Sequence, residues 1–168
     1  MTSISPQMFS DLQRKAFREP SVIEWLENFQ SPSQPWKIFL TISMRRLDLE
    51  VGQVWNVSEC DKAIIKFLWR LEYKVFKNGA RRHRRRLGRV VVRHQGDYST
   101  NPHFHCVLTC PIDITDDDFK RRILSTAERI RWISGKPHTE PYVSSGAFSY
   151  LFSDSASELV IEALARAN

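Results

Sequence analysis

The chain has no apolar run long enough to cross a bilayer, which excludes a helical membrane anchor among these 168 residues. Its first residues do not combine a basic start with an apolar stretch, so no secretory leader is expected and a cytoplasmic protein is the expectation. Cysteine is scarce: Cys60, Cys106 and Cys110, an odd number, supply no disulfide framework. No internal repeat and no low-complexity tract is present, which sets aside solenoids and arrays. What remains is ordinary globular material, 42% hydrophobic and 26% charged, long enough for one domain with a real core and too short for two large ones.

The charge is less ordinary. The net charge is +6 with pI near 9.5, and Arg81-Arg82-His83-Arg84-Arg85-Arg86 concentrates five arginines in six positions. Such a block favours a polyanion, because each phosphate it neutralises releases condensed counterions. Charge runs are also commonly just solvated loops. The basic pI tips the reading toward nucleic acid, with Arg81, Arg82, Arg84, Arg85, Arg86 and the downstream Arg93 as candidate contacts. The sign of the charge does not separate DNA from RNA, and nothing in the residues sets an oligomeric state.

Residues 1–35 are expected to be an N-terminal helical extension and linker. Leu12 to Phe17 reads as helical, and Pro20 suits the first turn of a helix on which Val22, Ile23, Leu26 and Phe29 form one stripe. Ser31-Pro32-Ser33-Gln34-Pro35 then breaks the chain, and residues 36–168 form the main domain. Trp36 to Ser43 reads as a buried first strand, and residues 44–57 are ambiguous. Ser58 with Asp61 resembles a capping box for a helix carrying Ile64, Leu68, Leu71 and Val75 and stopping at Gly79. Arg89 to Arg93, a turn, and Phe104 to Leu108 read as a β-hairpin. Thr115 caps a helix with Asp116, Asp117 and Asp118 in its first turn and Phe119, Ile123, Ala127 and Ile130 on its buried side. His138 to Tyr142 is a short extended piece. A helix begins near Ser144, and Glu158 to Ala167 is a further amphipathic helix or its continuation. The expected fold is α+β: an antiparallel sheet carrying helices on one face, preceded by N-terminal helices. Whether those N-terminal helices cover the sheet's open face or contact nucleic acid stays open.

The most informative residues are His103-Phe104-His105 on the second hairpin strand. Side chains alternate along a strand, so both imidazoles project from one face while Phe104 enters the other. The pair can hold one divalent cation. The same alternation puts Cys106, Leu108 and Cys110 on the opposite face, where a buried thiol behaves as a small hydrophobe; a structural zinc site would need both cysteines on the histidine side. A third ligand should come from the preceding strand, where His94 and Gln95 are the candidates. Imidazole with amide oxygen suits several divalent ions. For a nucleophile, Tyr150 stands out: Ala147, Phe148, Leu151 and Phe152 form an apolar helical arc from which it is excluded, with Ser153 and Asp154 following on the polar side. The plainer alternative is a half-exposed aromatic that anchors the helix. Tyr98 and Tyr142 are rival nucleophiles on less rigid elements.

Taken together, three motifs in order resemble the HUH endonucleases, the rolling-circle initiators, relaxases and single-tyrosine transposases. They are Phe39-Leu40-Thr41-Ile42-Ser43, then His94-Gln95-Gly96-Asp97 with Pro102-His103-Phe104-His105, then Tyr150 on a helix after a short strand. The resemblance spans residues 36 to 154, is closest to the initiators, and implies a ferredoxin-like palm over residues 36–168. It further implies Mn²⁺ or Mg²⁺ on His103, His105 and either His94 or Gln95. Tyr150 would attack single-stranded or hairpin DNA, giving a 5′-phosphotyrosine, a free 3′-hydroxyl and a rejoinable break. The chain departs from the family's pattern in two ways: Val92 stands where many initiators carry an acidic ligand, and Ser153 and Asp154 stand where a lysine is common. A chain of this length has no helicase of its own, so an initiator would need a host helicase. The rival functions are a transposase and a nucleic-acid-binding module with reduced chemistry.

Overall fold

Residues 19–48, 52–54, 56–94, 101–143, 146–152, 157–160 and 163–167 are described by the computed structural model. The expected helix over Leu12–Phe17 lies outside them.

The run Trp36–Ser43 does form a strand, β1, and apolar side chains occupy both of its faces because both faces of the sheet are covered. A small ribbon of β2 (Leu47–Asp48) and β3 (Gln53–Val54) follows in the ambiguous stretch. The hairpin strands are β4 (Arg89–His94) and β5 (His103–Thr109). With β6 (His138–Pro141) and β7 (Ser157–Leu159) they complete a five-stranded antiparallel sheet of order β6-β1-β5-β4-β7. The chain is thus α+β, as its pattern implied.

One face of the sheet presents Ile38, Leu40, Ile42, Phe104, Cys106 and Leu108. Against it pack α2 (Val57–Phe76), through Ile64, Phe67, Leu68 and Leu71, and α4 (Asp116–Ala127), through Phe119 and Ile123. Each such side chain taken fully from water contributes about 1.5–3 kcal/mol. The stripe read from the sequence therefore points where expected, but the cap of α2 does not. Asn56, not Ser58, accepts the Glu59 backbone N–H at 2.9 Å. Gly79 is likewise not the stop. The chain turns at Lys77, with φ +50°, and Gly79 lies inside a short α3 (Asn78–Arg82). Thr115 does cap α4, accepting from the Asp118 N–H at 3.3 Å.

The opposite face is not open. Phe39, Val90, Val92 and Val107 are covered there by α1 (Pro20–Glu27), through Leu26 and the following Phe29, and by α5 (Gly146–Leu151), through Phe148 and Leu151. Helices on both faces correct the one-face expectation, and Leu26 and Phe29 share this core. The chain after α1 is pinned at Gly88, where a Cβ would come within 2.1 Å of the Phe29 carbonyl oxygen.

The tail departs most from expectation. Instead of a helix over Glu158–Ala167, β7 pairs with the outer edge of β4, Val92 opposite Leu159 and His94 opposite Ser157. Further along, Arg89 and Ala165 exchange backbone bonds of 2.8 and 3.3 Å. An edge strand leaves a row of backbone groups wanting partners, and satisfying them outweighs a weak helical pattern.

Candidate functional site

Strand parity and register assemble the histidines. On β5, residues 103, 105 and 107 face the layer of α1 and α5; on β4, residues 90, 92 and 94 do so. His94 pairs directly with His103, while His105 stands between Val92 of β4 and Thr41 of β1. Three imidazoles from adjacent strands thereby meet at one end of one face. Their ring centroids are 5.0 Å (94–103), 4.7 Å (94–105) and 4.9 Å (103–105) apart. One nitrogen from each lies within 4.8 Å of the others, so His94, His103 and His105 form a group able to hold a metal ion. An ion bound at about 2.1 Å draws neighbouring ligands closer than this. Small rotations of the imidazoles supply that closure, since χ2 of histidine is a broad torsion.

The second nitrogens support the same use. His103 Nδ1 lies 3.1 Å from the Asn101 carbonyl oxygen, so it carries a proton and donates there. His105 Nδ1 sits 2.9 Å from Thr41 Oγ1. Ser157 Oγ lies 3.2 Å from His94 Nε2 and 3.5 Å from its Nδ1. Each ring therefore has a polar partner that orients it, the arrangement that fixes tautomer and direction in histidine–metal sites. His94 and His105 are buried and His103 is half-buried.

Of the two third-ligand candidates, His94 joins the group, and Gln95 lies outside the described residues. The thiols of Cys106 and Cys110 are buried in the core on the other side of the sheet, away from the histidines. Burial pushes the Cys110 thiol up to about 12, and that of Cys106 higher still, so both stay protonated.

Tyr150 stands off the apolar arc of α5, which buries Phe148 and Leu151, and its ring is 57% exposed. It meets the histidine cluster edge-on: its centroid is 5.7 Å from that of His105 and 5.8 Å from that of Phe39. Together with Thr41, His138 and Glu140, these residues line a cleft of about 400 Å³. Tyr142 borders the same cleft but is occupied. Its hydroxyl donates to Glu27 at 2.8 Å, and burial followed by that carboxylate pushes its pKa far up, the wrong direction for a nucleophile. Tyr98, Ser153 and Asp154 lie outside the described residues.

The arginines are not where a single DNA-contacting surface would put them. Arg81 and Arg82 ride on α3, and Arg84 to Arg86 follow it, all on the α2 side of the sheet, opposite the histidines. Arg85 lies over the Phe76 ring at 4.7 Å, and Arg86 donates to Glu72 at 2.6 Å. Arg93 departs from its expected role. Its odd position on β4 turns it under α2, where it is 8% exposed and ion-paired with Asp61 at 2.5 Å and with Glu158. Burial alone would pull its pKa down, but the two carboxylates outweigh it and raise it. It holds α2 and β7 to the sheet.

Four residues of interest were not singled out from the sequence. Thr41 is visible in hindsight, since it lies two positions from Phe39 on a strand that must neighbour the hairpin. Ser157 had no signal, because its segment reads as a helix. Trp69 and Tyr73, exposed on α2, sit at i and i+4 outside the buried stripe and were legible as exposed aromatics.

Among the described residues no helix is long and apolar enough to cross a membrane. No protein-family model, no curated protein and no solved structure matches the chain.

Proposed function

We propose that this chain is a metal-dependent DNA nicking and joining enzyme of the HUH type, acting on single-stranded or hairpin DNA. One observation carries the reading: His105 belongs to the three-histidine group and also lines a cleft with the exposed Tyr150, the two ring centroids 5.7 Å apart. A metal ligand set beside a tyrosine, with no carboxylate in the group, suits phosphodiester transesterification better than hydrolysis by a carboxylate base.

The roles follow from position. His94, His103 and His105 would hold the ion; three nitrogen donors favour Mn²⁺ over Mg²⁺, which prefers oxygen. When bound, the ion supplies charge that polarises a nonbridging phosphate oxygen. Thr41, Ser157 and the Asn101 carbonyl keep the rings aimed. Tyr150 Oη would form the new bond to phosphorus as the P–O3′ bond breaks. The phenolic proton passes to solvent, and the departing 3′-oxygen ends as a hydroxyl. The product is a 5′-phosphotyrosine of nearly unchanged bond energy, so a 3′-hydroxyl can reverse the step. Initiation of rolling-circle replication, with a host helicase, is the cellular role that best suits such a break; a transposase would perform the same chemistry.

The test is incubation of the full chain with Mn²⁺ and labelled single-stranded DNA, followed by denaturing electrophoresis. A covalent adduct is expected. It should vanish in Tyr150→Phe, with DNA binding retained, and in His103→Ala/His105→Ala. An adduct that persists in Tyr150→Phe moves the nucleophile elsewhere. No adduct with any divalent ion, but retained binding, leaves a binding module.

A further inference from the structure

We propose that the outer face of α2 is a second site for single-stranded nucleic acid, with Trp69 and Tyr73 as the surfaces on which unpaired bases stack. It rests on the nucleic-acid half of the function proposed above and not on its chemistry.

α2 buries Ile64, Phe67, Leu68 and Leu71 against the sheet, which turns Lys62, Lys66, Trp69, Arg70, Tyr73 and Lys74 outward along one stripe. At about 1.5 Å per residue that stripe is roughly 18 Å long. With Arg81, Arg84, Arg86 and Arg129 it lines a groove of about 1160 Å³. Trp69 is 61% and Tyr73 51% exposed, large rings left in water beside cations.

The charges are unbalanced in favour of an anion. Glu59 pairs with Lys62, and Glu72 is buried beneath Arg86 and Arg89. Among the described residues no carboxylate pairs with Lys66, Arg70, Arg81 or Arg84. Burial and then the neighbouring Arg129 charge hold the Lys74 ammonium below its ordinary value, which phosphate would relieve. Arg86 already lies over the Trp69 ring at 5.6 Å, a guanidinium–indole stack that a base can extend. Cations tracking a backbone, interleaved with exposed aromatic faces, are what a single strand needs. A duplex hides its bases and would leave the rings unused. The groove lies across the sheet from the histidines, so it holds a different stretch of strand from the one in the cleft. The path between them crosses roughly the thickness of a sheet–helix layer and a helix, on the order of 20 Å.

The probe is a fluorescein-labelled 20-nucleotide oligothymidylate, with binding followed by anisotropy for the full chain and for Trp69→Ala, Tyr73→Ala and Ile112→Ala. Both groove side chains are exposed, so circular dichroism should show the fold intact. Loss of each ring is expected to weaken binding about 5- to 150-fold, the span of one base–aromatic stack. Ile112→Ala, at an exposed apolar residue outside the groove, should bind as the parent does. A blunt duplex of equal length should bind without sensitivity to Trp69. If the oligonucleotide binds but neither groove substitution weakens it, this site is wrong and the nicking function stands. If the full chain does not bind the oligonucleotide at all, both fall. A Trp69-dependent attachment to phosphatidylserine vesicles, with no such dependence for the oligonucleotide, would assign the groove to a membrane surface instead.

Discussion

Replacing Thr41 by Val should weaken metal binding without unfolding the protein. The two side chains share a β-branched shape suited to a central strand, so the change removes little but the hydroxyl. That hydroxyl lies 2.9 Å from His105 Nδ1, across the β1–β5 pairing that sets Thr41 opposite His105. With His105 ligating through Nε2, Nδ1 holds the proton and donates to Thr41 Oγ1. Loss of that partner lets the ring turn and lowers its basicity. Removing a hydrogen-bond partner of a ligating histidine typically costs 10- to 100-fold in affinity, or about 1.4–2.8 kcal/mol. The fold itself should lose only about 0.5–1.5 kcal/mol, the net worth of one such bond. Calorimetric titration with Mn²⁺ measures the first and urea denaturation of the metal-free protein the second. Thr41→Ser keeps an oxygen in place and should recover most of the affinity. The reasoning fails if Thr41→Val binds Mn²⁺ within twofold of the parent, or if Ser and Val behave alike.

Two further perturbations probe the frame around the site. Glu72 is 1% exposed and accepts from Arg86 and Arg89 at 2.6 Å each and from the Leu87 N–H at 3.2 Å. Glu72→Ala strands the buried Arg89 guanidinium and should cost about 3–5 kcal/mol in urea denaturation, Glu72→Gln clearly less; equal effects would mean the ion pair is not what is lost. The raised pKa of Tyr142 makes stability pH-dependent. Its contribution is fully present below the unfolded value of about 10 and declines as pH climbs above that toward the folded value, because the unfolded phenol ionises first. Thermal melts from pH 8 to 11 should show a steeper alkaline loss in the parent than in Tyr142→Phe, and identical slopes would refute the half-buried Tyr142 phenol as the source of that loss.

The histidine group was legible because its assembly needs only the shortest period in protein structure. Once residues 89–94 and 103–109 are paired antiparallel, parity alone puts His94, His103 and His105 on one face and Cys106, Leu108 and Cys110 on the other. The same rule, applied to Arg93, would have turned it away from the cleft. It was grouped with the arginine block by charge, and charge does not know which face of a strand a side chain leaves from.

The tail shows what periodicity cannot supply. Ser157–Leu159 has too little pattern to choose between helix and strand, and its choice was made by β4, whose outer edge lacked a neighbour until β7 filled it. That tertiary decision brings Ser157 opposite His94 and so completes the polar partners of all three rings. The consequence reaches the proposed chemistry. Where many initiators place an acidic ligand two positions before His94, this chain has Val92, which is buried in the core beneath α1 and α5. A carboxylate there would be desolvated among apolar side chains at a cost of several kcal/mol. His94 avoids that cost, being neutral when it ligates and already oriented by the edge strand. The donor set then consists of nitrogen alone, and the ion it selects should shift from Mg²⁺ toward Mn²⁺ and its softer neighbours.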